Sequence, residues 1–212
     1  MRPATQHQCL LYDGAPSRLL PALSTVLHEK LSQNYRCLYL NSRPMVAGMR
    51  SYLAAMGVDV AHEVAKTSLV LSSDQSHLTD GQFDVQRMMR TLEDALGQAL
   101  HDGYSGLWAT GDMSFEMGHK TDLKKLLAYE WRLEEFLREH PAMGGICQYH
   151  AGTLPREVMR HGLLVHPSLF VNETLSMINP HYLQPEFVSP AAAEKADVKA
   201  TLARLMSAGK AV

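Results

Sequence analysis

The sequence lacks an excess of basic residues. Its 212 residues include 20 lysines and arginines against 22 aspartates and glutamates, which gives a formal net charge of −2. Proteins that bind nucleic acid or an anionic membrane surface through electrostatics carry a basic stripe or patch. We therefore expect neither nucleic acid nor a membrane to be a direct partner of this protein.

Long apolar runs are absent as well. No stretch approaches the roughly 18 consecutive apolar residues of a membrane span, and residues 1–14 contain no apolar block of the kind found in signal peptides. Cysteine is scarce. The three cysteines, Cys9, Cys37 and Cys147, are odd in number and far apart, which is typical of reduced proteins and not of disulfide frameworks. These features together predict a cytoplasmic protein.

The motifs of common nucleotide-binding enzymes and hydrolases are also missing. No GxGxxG occurs, and the segment 12–18, which follows the first predicted strand, has one glycine and no lysine where a phosphate loop needs Gly-x4-Gly-Lys-Ser/Thr. No Gly-x-Ser-x-Gly motif exists. A Cys147–His150 dyad, three residues apart at a strand end, is poorly oriented for nucleophilic catalysis. We therefore predict no catalytic residues and a protein that is not an enzyme.

What is present is an alternation of short apolar runs with longer helical patterns. Apolar runs predict strands at 8–12, 36–40, 68–71, 106–110, 145–149 and 169–171. Apolar residues at helical spacing predict helices over 19–31, 45–56, 85–100 and 123–140, and a short one after Pro155. Short strands that alternate with helices form βαβ units. The predicted fold class is α/β, with a largely parallel sheet and helices on both faces.

Three segments do not follow this alternation. Residues 72–84 are predicted to form a polar loop, and residues 172–190, with three prolines after polar residues, an irregular wrap. Residues 191–208 predict a terminal helix that stands apart from the core. The methionines at 88–89 and 113–117 indicate core filling or an adaptable apolar pocket.

Ligands of parallel α/β proteins bind at the carboxyl ends of the strands. Asp112 follows the fourth predicted strand there, either as a cap of the next turn or as a ligand contact. His7 and Cys9 share one face of the first strand, and Cys147 and Tyr149 share one face of the fifth. A soft metal could be held by such groups, with His150 nearby, but isolated cysteines are usually small buried hydrophobes.

Glu130 stands on an otherwise apolar face of the 123–140 helix. A buried carboxylate has to be paired or protonated. Two interpretations remain open for this residue: an ion pair with a nearby arginine, or an acid that senses a ligand.

Several short motifs, in order along the chain, resemble one family. His7-x-Cys9-x-x-Tyr12 resembles the HxCxxY signature of the MEDS domain, the methanogen/methylotroph sensory domain first described in the dichloromethane-responsive regulator. The other matching motifs are Cys37-Leu38-Tyr39, Gly81-Gln82-Phe83-Asp84, Gly111-Asp112-Met113, Tyr129-Glu130, Cys147-Gln148-Tyr149, Asn179-Pro180-His181-Tyr182 and Pro185-Glu186-Phe187. The chain departs from the family where Asp112 replaces a usual glutamate and His150 a common aspartate.

The resemblance implies a sensory domain over residues 6–188 and a largely helical tail over 189–212. It implies a fold similar to the RecA/KaiC type with a degraded phosphate loop, and a small-molecule ligand such as a hydrocarbon derivative; it leaves the cofactor unknown. A regulator or histidine kinase would be the protein partner, and relatives of that fold often form homo-oligomers. No helix-turn-helix precedes residue 6 and no kinase domain follows residue 188 in this sequence.

The predicted ligand pocket joins both lines of argument at the carboxyl ends of the strands. Its residues are His7, Cys9, Tyr12, Asp112, Glu130, Cys147 and Tyr149. Three alternatives remain: a nucleotide-binding or ATPase-like protein with a non-standard loop and Asp112 as its key acid; a metal or redox sensor that uses Cys9, Cys147 and His7; and an interaction scaffold.

Overall fold

A computed structural model describes residues 6–73, 78–79, 82–114, 123–184 and 196–208. The strands are His7–Tyr12 (β1), Tyr35–Leu40 (β2), Leu69–Ser72 (β3), Leu78–Thr79 (β4), Gln82–Phe83 (β5), Gly106–Asp112 (β6), Met143–His150 (β7), Ser168–Asn172 (β8) and Leu175–Ile178 (β9). The helices are Leu20–Ser32 (α1), Arg43–Ala55 (α2), Val60–Ala65 (α3), Val85–His101 (α4), Leu123–Glu139 (α5), Arg156–Val165 (α6) and Val198–Ala208 (α7).

One seven-stranded sheet, in the order β3-β2-β6-β7-β1-β8-β9, forms the centre of the fold. Its neighbours are parallel except β8 and β9, which are antiparallel. The strands β1, β6 and β7 are nearly continuous apolar runs because helices cover both of their faces. The predicted fold class, α/β with a largely parallel sheet between helices, is confirmed.

Two hydrophobic cores lie on opposite faces of the sheet. Alternate residues of β1 divide between them: Cys9 and Leu11 belong to the core under α4, α5, α6 and α7, whereas Leu10 and Tyr12 belong to the core under α1, α2 and α3. We call these the α5 face and the α1 face of the sheet. Since the strand period is two residues, the parity of a residue decides which core its side chain enters.

Three strands differ from the prediction. The segment predicted as a polar loop contains β4 and β5, which pair antiparallel, and the segment predicted as an irregular wrap contains β9. β9 follows a tight turn in which the Asn172 side chain accepts a hydrogen bond from the Thr174 backbone N–H at 3.0 Å. β9 is a four-residue strand at the sheet edge, and none of its residues is buried although three of them are apolar.

The terminal helix α7 is shorter than predicted and packs on the core. Val198, Thr201 and Leu205 are buried, at the i, i+3, i+7 spacing of one helix face. This face contacts α6, β1 and β8, so the expectation of a helix apart from the core is wrong. The division into a domain over 6–188 and a tail over 189–212 remains a prediction.

Some predicted features lie outside the described residues. These are part of the 72–84 loop, including Gly81 of its motif, most of the 113–117 methionine stretch, the Pro185-Glu186-Phe187 motif and residues 185–195 and 209–212. Among the described helices, none has the length and apolar character needed to cross a bilayer.

Strands β6 and β7 approach each other closely at Gly145. A Cβ placed on Gly145 would lie 2.1 Å from the backbone oxygen of Ala109. Gly145 stands opposite His7 in the β1–β7 register, on the α5 face. Because glycine has no Cβ, Gly145 allows β6 and β7 to lie this close together beside His7, the first residue of β1.

Candidate functional site

Polar and titratable side chains gather inside the core on the α5 face, where such groups are rare. They come from the first residue of β1, from β7, from one face of α5 and from the residue that follows α6. We call this group the buried cluster, and it consists of His7, Glu130, Glu134, Cys147, Tyr149 and His166. All of its members are at most 9% exposed.

The strand register and the helix period bring these residues together. β1 and β7 are parallel, with Cys9 beside Cys147 and Leu11 beside Tyr149, so odd-numbered residues of both strands face the same core. Glu130 and Glu134 are four residues apart on α5 and therefore lie on one face of that helix.

Four ligand-type atoms point toward a common centre. His7 Nε2 lies 3.6 Å from Cys147 Sγ and 3.7 Å from Glu130 Oε2. His166 Nε2 lies 3.7 Å from the same Glu130 oxygen. The two imidazole rings are adjacent, with centroids 3.9 Å apart. The four atoms lie within 4.8 Å of one another.

A second layer of hydrogen bonds orients these groups from outside. His7 Nδ1 lies 2.9 Å from Glu134 Oε2, and the Tyr182 hydroxyl donates to Glu134 Oε1 at 3.1 Å. His166 Nδ1 lies 2.7 Å from the Gly162 carbonyl oxygen. A carbonyl only accepts, so the Nδ1 of His166 carries the proton and its Nε2 presents a lone pair to the centre.

Burial keeps the imidazoles neutral. It lowers the pKa of His7 to about 3 and that of His166 well below the usual range. Burial, with a smaller effect from Glu134, raises the pKa of Glu130 to about 8, although the hydrogen bond that Tyr149 donates opposes the shift. At neutral pH in the metal-free protein, Glu130 is therefore mostly protonated and the histidines are uncharged.

Two buried atoms at the centre lack hydrogen-bond partners within the described part of the chain: Glu130 Oε2 and His166 Nε2. Buried polar atoms are nearly always paired, and each unpaired one costs roughly 1–3 kcal/mol. Their separation of 3.7 Å is too long for a direct hydrogen bond. The centre of the cluster therefore contains one carboxyl oxygen and one imidazole nitrogen that are buried without a hydrogen bond among the described residues.

A cavity of about 50 Å³ adjoins the cluster between the sheet and helices α4 and α5. His7 and Cys147 form part of its wall, and most of the rest is apolar. The apolar side chains that line it include Met88, Leu92, Met113, Leu133, Leu137 and Met143. The two methionines at 88 and 113 thus belong to an apolar pocket wall, as the sequence suggested.

Four of the seven predicted pocket residues, His7, Glu130, Cys147 and Tyr149, belong to the cluster. Cys9 lies beside them on the α5 face, and burial and the nearby Glu130 raise the pKa of its thiol. The partners of Glu130 are Tyr149 and the two histidines. No arginine pairs with it within the described ranges, so the interpretation of an arginine ion pair is wrong.

Tyr12 and Asp112 do not reach the cluster. Tyr12 lies at the end of β1 on the α1 face, where its ring stacks on His150 with centroids 4.8 Å apart. Asp112 accepts a hydrogen bond from the Ser114 N–H at 2.8 Å, so it caps the turn that follows β6. The cluster extends from His7 at the start of β1 to Tyr149 near the end of β7, and His150 is outside it.

Sequence reasoning missed His166, Glu134 and Tyr182. Glu134 had a signal, because it is four residues after Glu130 on the same helix. His166 had none: it follows α6 without a motif, and only the packing of α6 on the sheet brings it to His7. Tyr182 was noted within Asn179-Pro180-His181-Tyr182, but its contact with Glu134 depends on the path of the chain after β9.

The fold and the site define a class: a parallel α/β domain that has no phosphate loop after β1 and carries a buried cluster of histidine, cysteine and glutamate. The model of the MEDS family, described as the methanogen/methylotroph DcmR sensory domain, matches residues 6–167. Because the match covers most of the chain, this protein belongs to the MEDS family of sensory domains. Among curated proteins, none matches the chain.

The contribution of the Tyr149 hydroxyl can be measured. Tyr149→Phe removes the donor to Glu130 Oε1, so neither oxygen of a buried carboxyl then has a partner, and we expect the free energy of unfolding to fall by roughly 1–3 kcal/mol. Tyr12→Phe is the matched control, because the Tyr12 hydroxyl is buried without a partner among the described residues. Urea unfolding that shows equal effects of the two substitutions would contradict this role of Tyr149.

Proposed function

We propose that this protein is a non-catalytic sensor that binds a small, mainly apolar molecule in the cavity beside the buried cluster. The observation that carries the proposal is the cavity itself: a largely apolar wall on which the polar side chains of His7 and Cys147 lie together, 3.6 Å apart. Binding sites for small molecules combine a largely apolar lining with few oriented polar groups. Membership of a sensory family agrees with this function.

The size of the cavity restricts the ligand class. On this measure a cavity of about 10–15 Å³ holds one water molecule, so a cavity of about 50 Å³ accommodates a molecule of several heavy atoms without expansion. Halomethanes and short-chain alcohols fall in this range. The flexible side chains of Met88 and Met113 line the cavity and allow moderate enlargement.

A path for the signal leads from the cluster to the terminal helix. Tyr182 contacts Glu134, and the neighbouring His181 lies 3.2 Å from the Thr201 hydroxyl of α7. A ligand shifts such an arrangement only if it binds two conformations with different affinity. We propose that the ligand changes the position of the segment after β8, including α7, which a regulator or histidine kinase reads.

The cellular setting follows the same reasoning. We propose a cytoplasmic module, supported by three reduced cysteines and a charge of −2. We further propose a frame of RecA/KaiC type with a degraded phosphate loop, supported by the parallel sheet and by the segment after β1, which contains Asp13 and Gly14 and no lysine. Assembly into a homo-oligomer belongs to this proposal.

Ligand binding can be tested by thermal unfolding with dichloromethane and short-chain alcohols as probes. Ala109 lines the cavity from β6, and Ala109→Val would occupy part of it. At 100 times the dissociation constant a ligand stabilises the native state by about 2.7 kcal/mol, which raises the melting temperature of a protein of this size by roughly 5–10 °C. We expect this rise in the wild type and its loss in Ala109→Val.

The control is Ala95→Val, which adds the same side chain on α4 to a residue that packs on this core but does not line the cavity. This variant should keep the ligand-induced rise in melting temperature. The proposal is overturned if no probe stabilises the wild type, or if the two variants respond equally to the probes.

A further inference from the structure

We propose that His7, Glu130, Cys147 and His166 form a four-coordinate site for zinc or a similar transition-metal ion. The site differs from the predicted metal set, because it includes Glu130 and His166 and leaves out Cys9 and His150. It goes beyond the proposed sensing of an apolar molecule and does not depend on it.

The distances between the ligand atoms fit a tetrahedron. Zinc lies about 2.0–2.1 Å from nitrogen or oxygen and about 2.3 Å from sulfur, so the edges of a tetrahedral site are roughly 3.4 Å between nitrogen and oxygen and roughly 3.6 Å between nitrogen and sulfur. The corresponding distances are 3.7 Å from Glu130 Oε2 to each imidazole Nε2, and 3.6 Å from His7 Nε2 to Cys147 Sγ. The remaining pairs of ligand atoms lie within 4.8 Å of one another, so shifts of up to about an ångström complete the site.

Both histidines are oriented in the way metal-binding histidines are. In metal sites, the second ring nitrogen usually bonds to a carboxylate or a backbone carbonyl, which fixes the tautomer. His7 Nδ1 has the Glu134 carboxyl and His166 Nδ1 has the Gly162 carbonyl. Each ring therefore directs its Nε2 lone pair to the centre.

A metal ion also accounts for the two unpaired atoms. Glu130 holds one oxygen in the hydrogen bond from Tyr149 and leaves Oε2 without a partner, and His166 Nε2 is likewise without one in the described part of the chain. Both residues are almost fully buried. A central cation binds both atoms at once, which no direct hydrogen bond at this separation achieves.

The donor set selects the metal class. One sulfur, two imidazole nitrogens and one carboxylate oxygen favour Zn²⁺, Co²⁺ and related ions over Mg²⁺ and Ca²⁺, which prefer oxygen alone. Four protein ligands in a buried position are typical of a structural site. Binding requires the thiolate and carboxylate forms, so the thiol and carboxylic-acid protons of Cys147 and Glu130 leave to solvent.

Metal content and cobalt binding of the full chain test the proposal. Protein expressed with added zinc should carry about one zinc per chain, measured by mass spectrometry of the elements. Cobalt added to metal-free protein should give the absorption bands of tetrahedral Co²⁺ and a sulfur-to-cobalt charge-transfer band. In Cys147→Ser the charge-transfer band should disappear.

Two controls separate the site from its surroundings. Cys37→Ser changes a buried cysteine on the α1 face, and His150→Gln changes a histidine outside the cluster; both should retain metal. Glu134→Gln keeps all four ligands and removes the charge from the group that lies at His7 Nδ1 and accepts from Tyr182, so it should weaken binding roughly 10- to 100-fold. This variant also keeps the test decisive if Cys147→Ser fails to fold by circular dichroism.

The proposal is overturned if the wild type contains no zinc and gives no cobalt charge-transfer band, or if Cys37→Ser abolishes the band as Cys147→Ser does. Unchanged affinity in Glu134→Gln would equally reject the assigned orientation of His7. The melting-temperature test with apolar probes measures ligand binding in the cavity and not metal binding. Either proposal can therefore fail while the other holds.

Discussion

Gly145→Ala is expected to lower the free energy of unfolding by at least about 3 kcal/mol, a large part of the 5–15 kcal/mol typical of a folded protein. The added Cβ would stand 2.1 Å from the Ala109 backbone oxygen on the neighbouring strand. Real Cβ atoms do not approach an oxygen so closely, and the obstacle is backbone, which cannot rotate away. Strands β6 and β7 would have to separate in the middle of the sheet.

Gly97→Ala is the matched control for this substitution. Gly97 lies within α4, and a Cβ there meets nothing within 4 Å. Alanine in a helix interior is about 0.8–1.0 kcal/mol more favourable than glycine, so this variant should be slightly more stable than the wild type. Urea unfolding and the yield of folded protein measure both. Equal tolerance of the two substitutions would contradict the close approach of β6 and β7.

The second large effect is the dependence of stability on pH in the metal-free protein. Burial raises the pKa of Glu130 from 4.5 to about 8, so above pH 4.5 the native state holds a proton that the unfolded chain releases, and stability falls as the pH rises. Burial lowers the pKa of His7 from 6.5 to about 3, so below pH 6.5 the unfolded chain binds the extra proton and stability falls as the pH drops. Between pH 4.5 and 6.5 the two slopes oppose each other.

We therefore expect maximum stability at about pH 4.5–6.5, with acid loss from His7 and alkaline loss from Glu130. At about 1.4 kcal/mol per pH unit, the rise from pH 6.5 to 8 costs roughly 2 kcal/mol. Of the groups that face Glu130, Glu134 has a pKa raised by burial and adds to the alkaline loss, and His166 has a pKa lowered by burial and adds to the acid loss. Burial also raises the pKa of the Cys9 thiol, but this affects stability only above pH 9.0.

Glu130→Gln isolates the alkaline part of this profile. Glutamine keeps the shape and can accept the hydrogen bond from Tyr149, but it has no proton to lose, so the decline between pH 6.5 and 8 should largely disappear. Glu135→Gln, on the exposed side of the same helix, should keep the wild-type profile. The free energy of unfolding of both variants is measured with denaturant at a series of pH values in the presence of a chelator. If Glu130→Gln loses stability between pH 6.5 and 8 as steeply as the wild type does, Glu130 is not the group responsible.

Local pattern was sufficient for much of the fold and for half of the site. The apolar runs around Cys9, Cys37 and Cys147 predict β1, β2 and β7, and strand parity places Cys147 and Tyr149 on one face. Glu130 was recognisable as a carboxyl on an apolar helix face. All of these depend on residues a few positions apart.

The remainder depends on contacts between distant parts of the chain. His166 meets His7 only because β8 pairs with β1 and draws the end of α6 across the sheet. The rule that ligands bind at the carboxyl ends of strands led to Tyr12 and Asp112, whereas the buried cluster extends along the α5 face from His7 to Tyr149 and includes neither. The edge strand β9 is only four residues long and none of its residues is buried, so neither its length nor a buried alternation marks it as a strand.

The cluster joins His7, near one end of the chain, to His166 and, through Glu134, to Tyr182 near the other. Whatever binds at its centre therefore acts as a reversible cross-link that closes a loop containing most of the chain. Closing a long loop restricts the unfolded chain more than closing a short one. Occupancy of this site should thus set how readily α6 and α7 detach from the sheet, and amide hydrogen exchange in those two helices reports it directly.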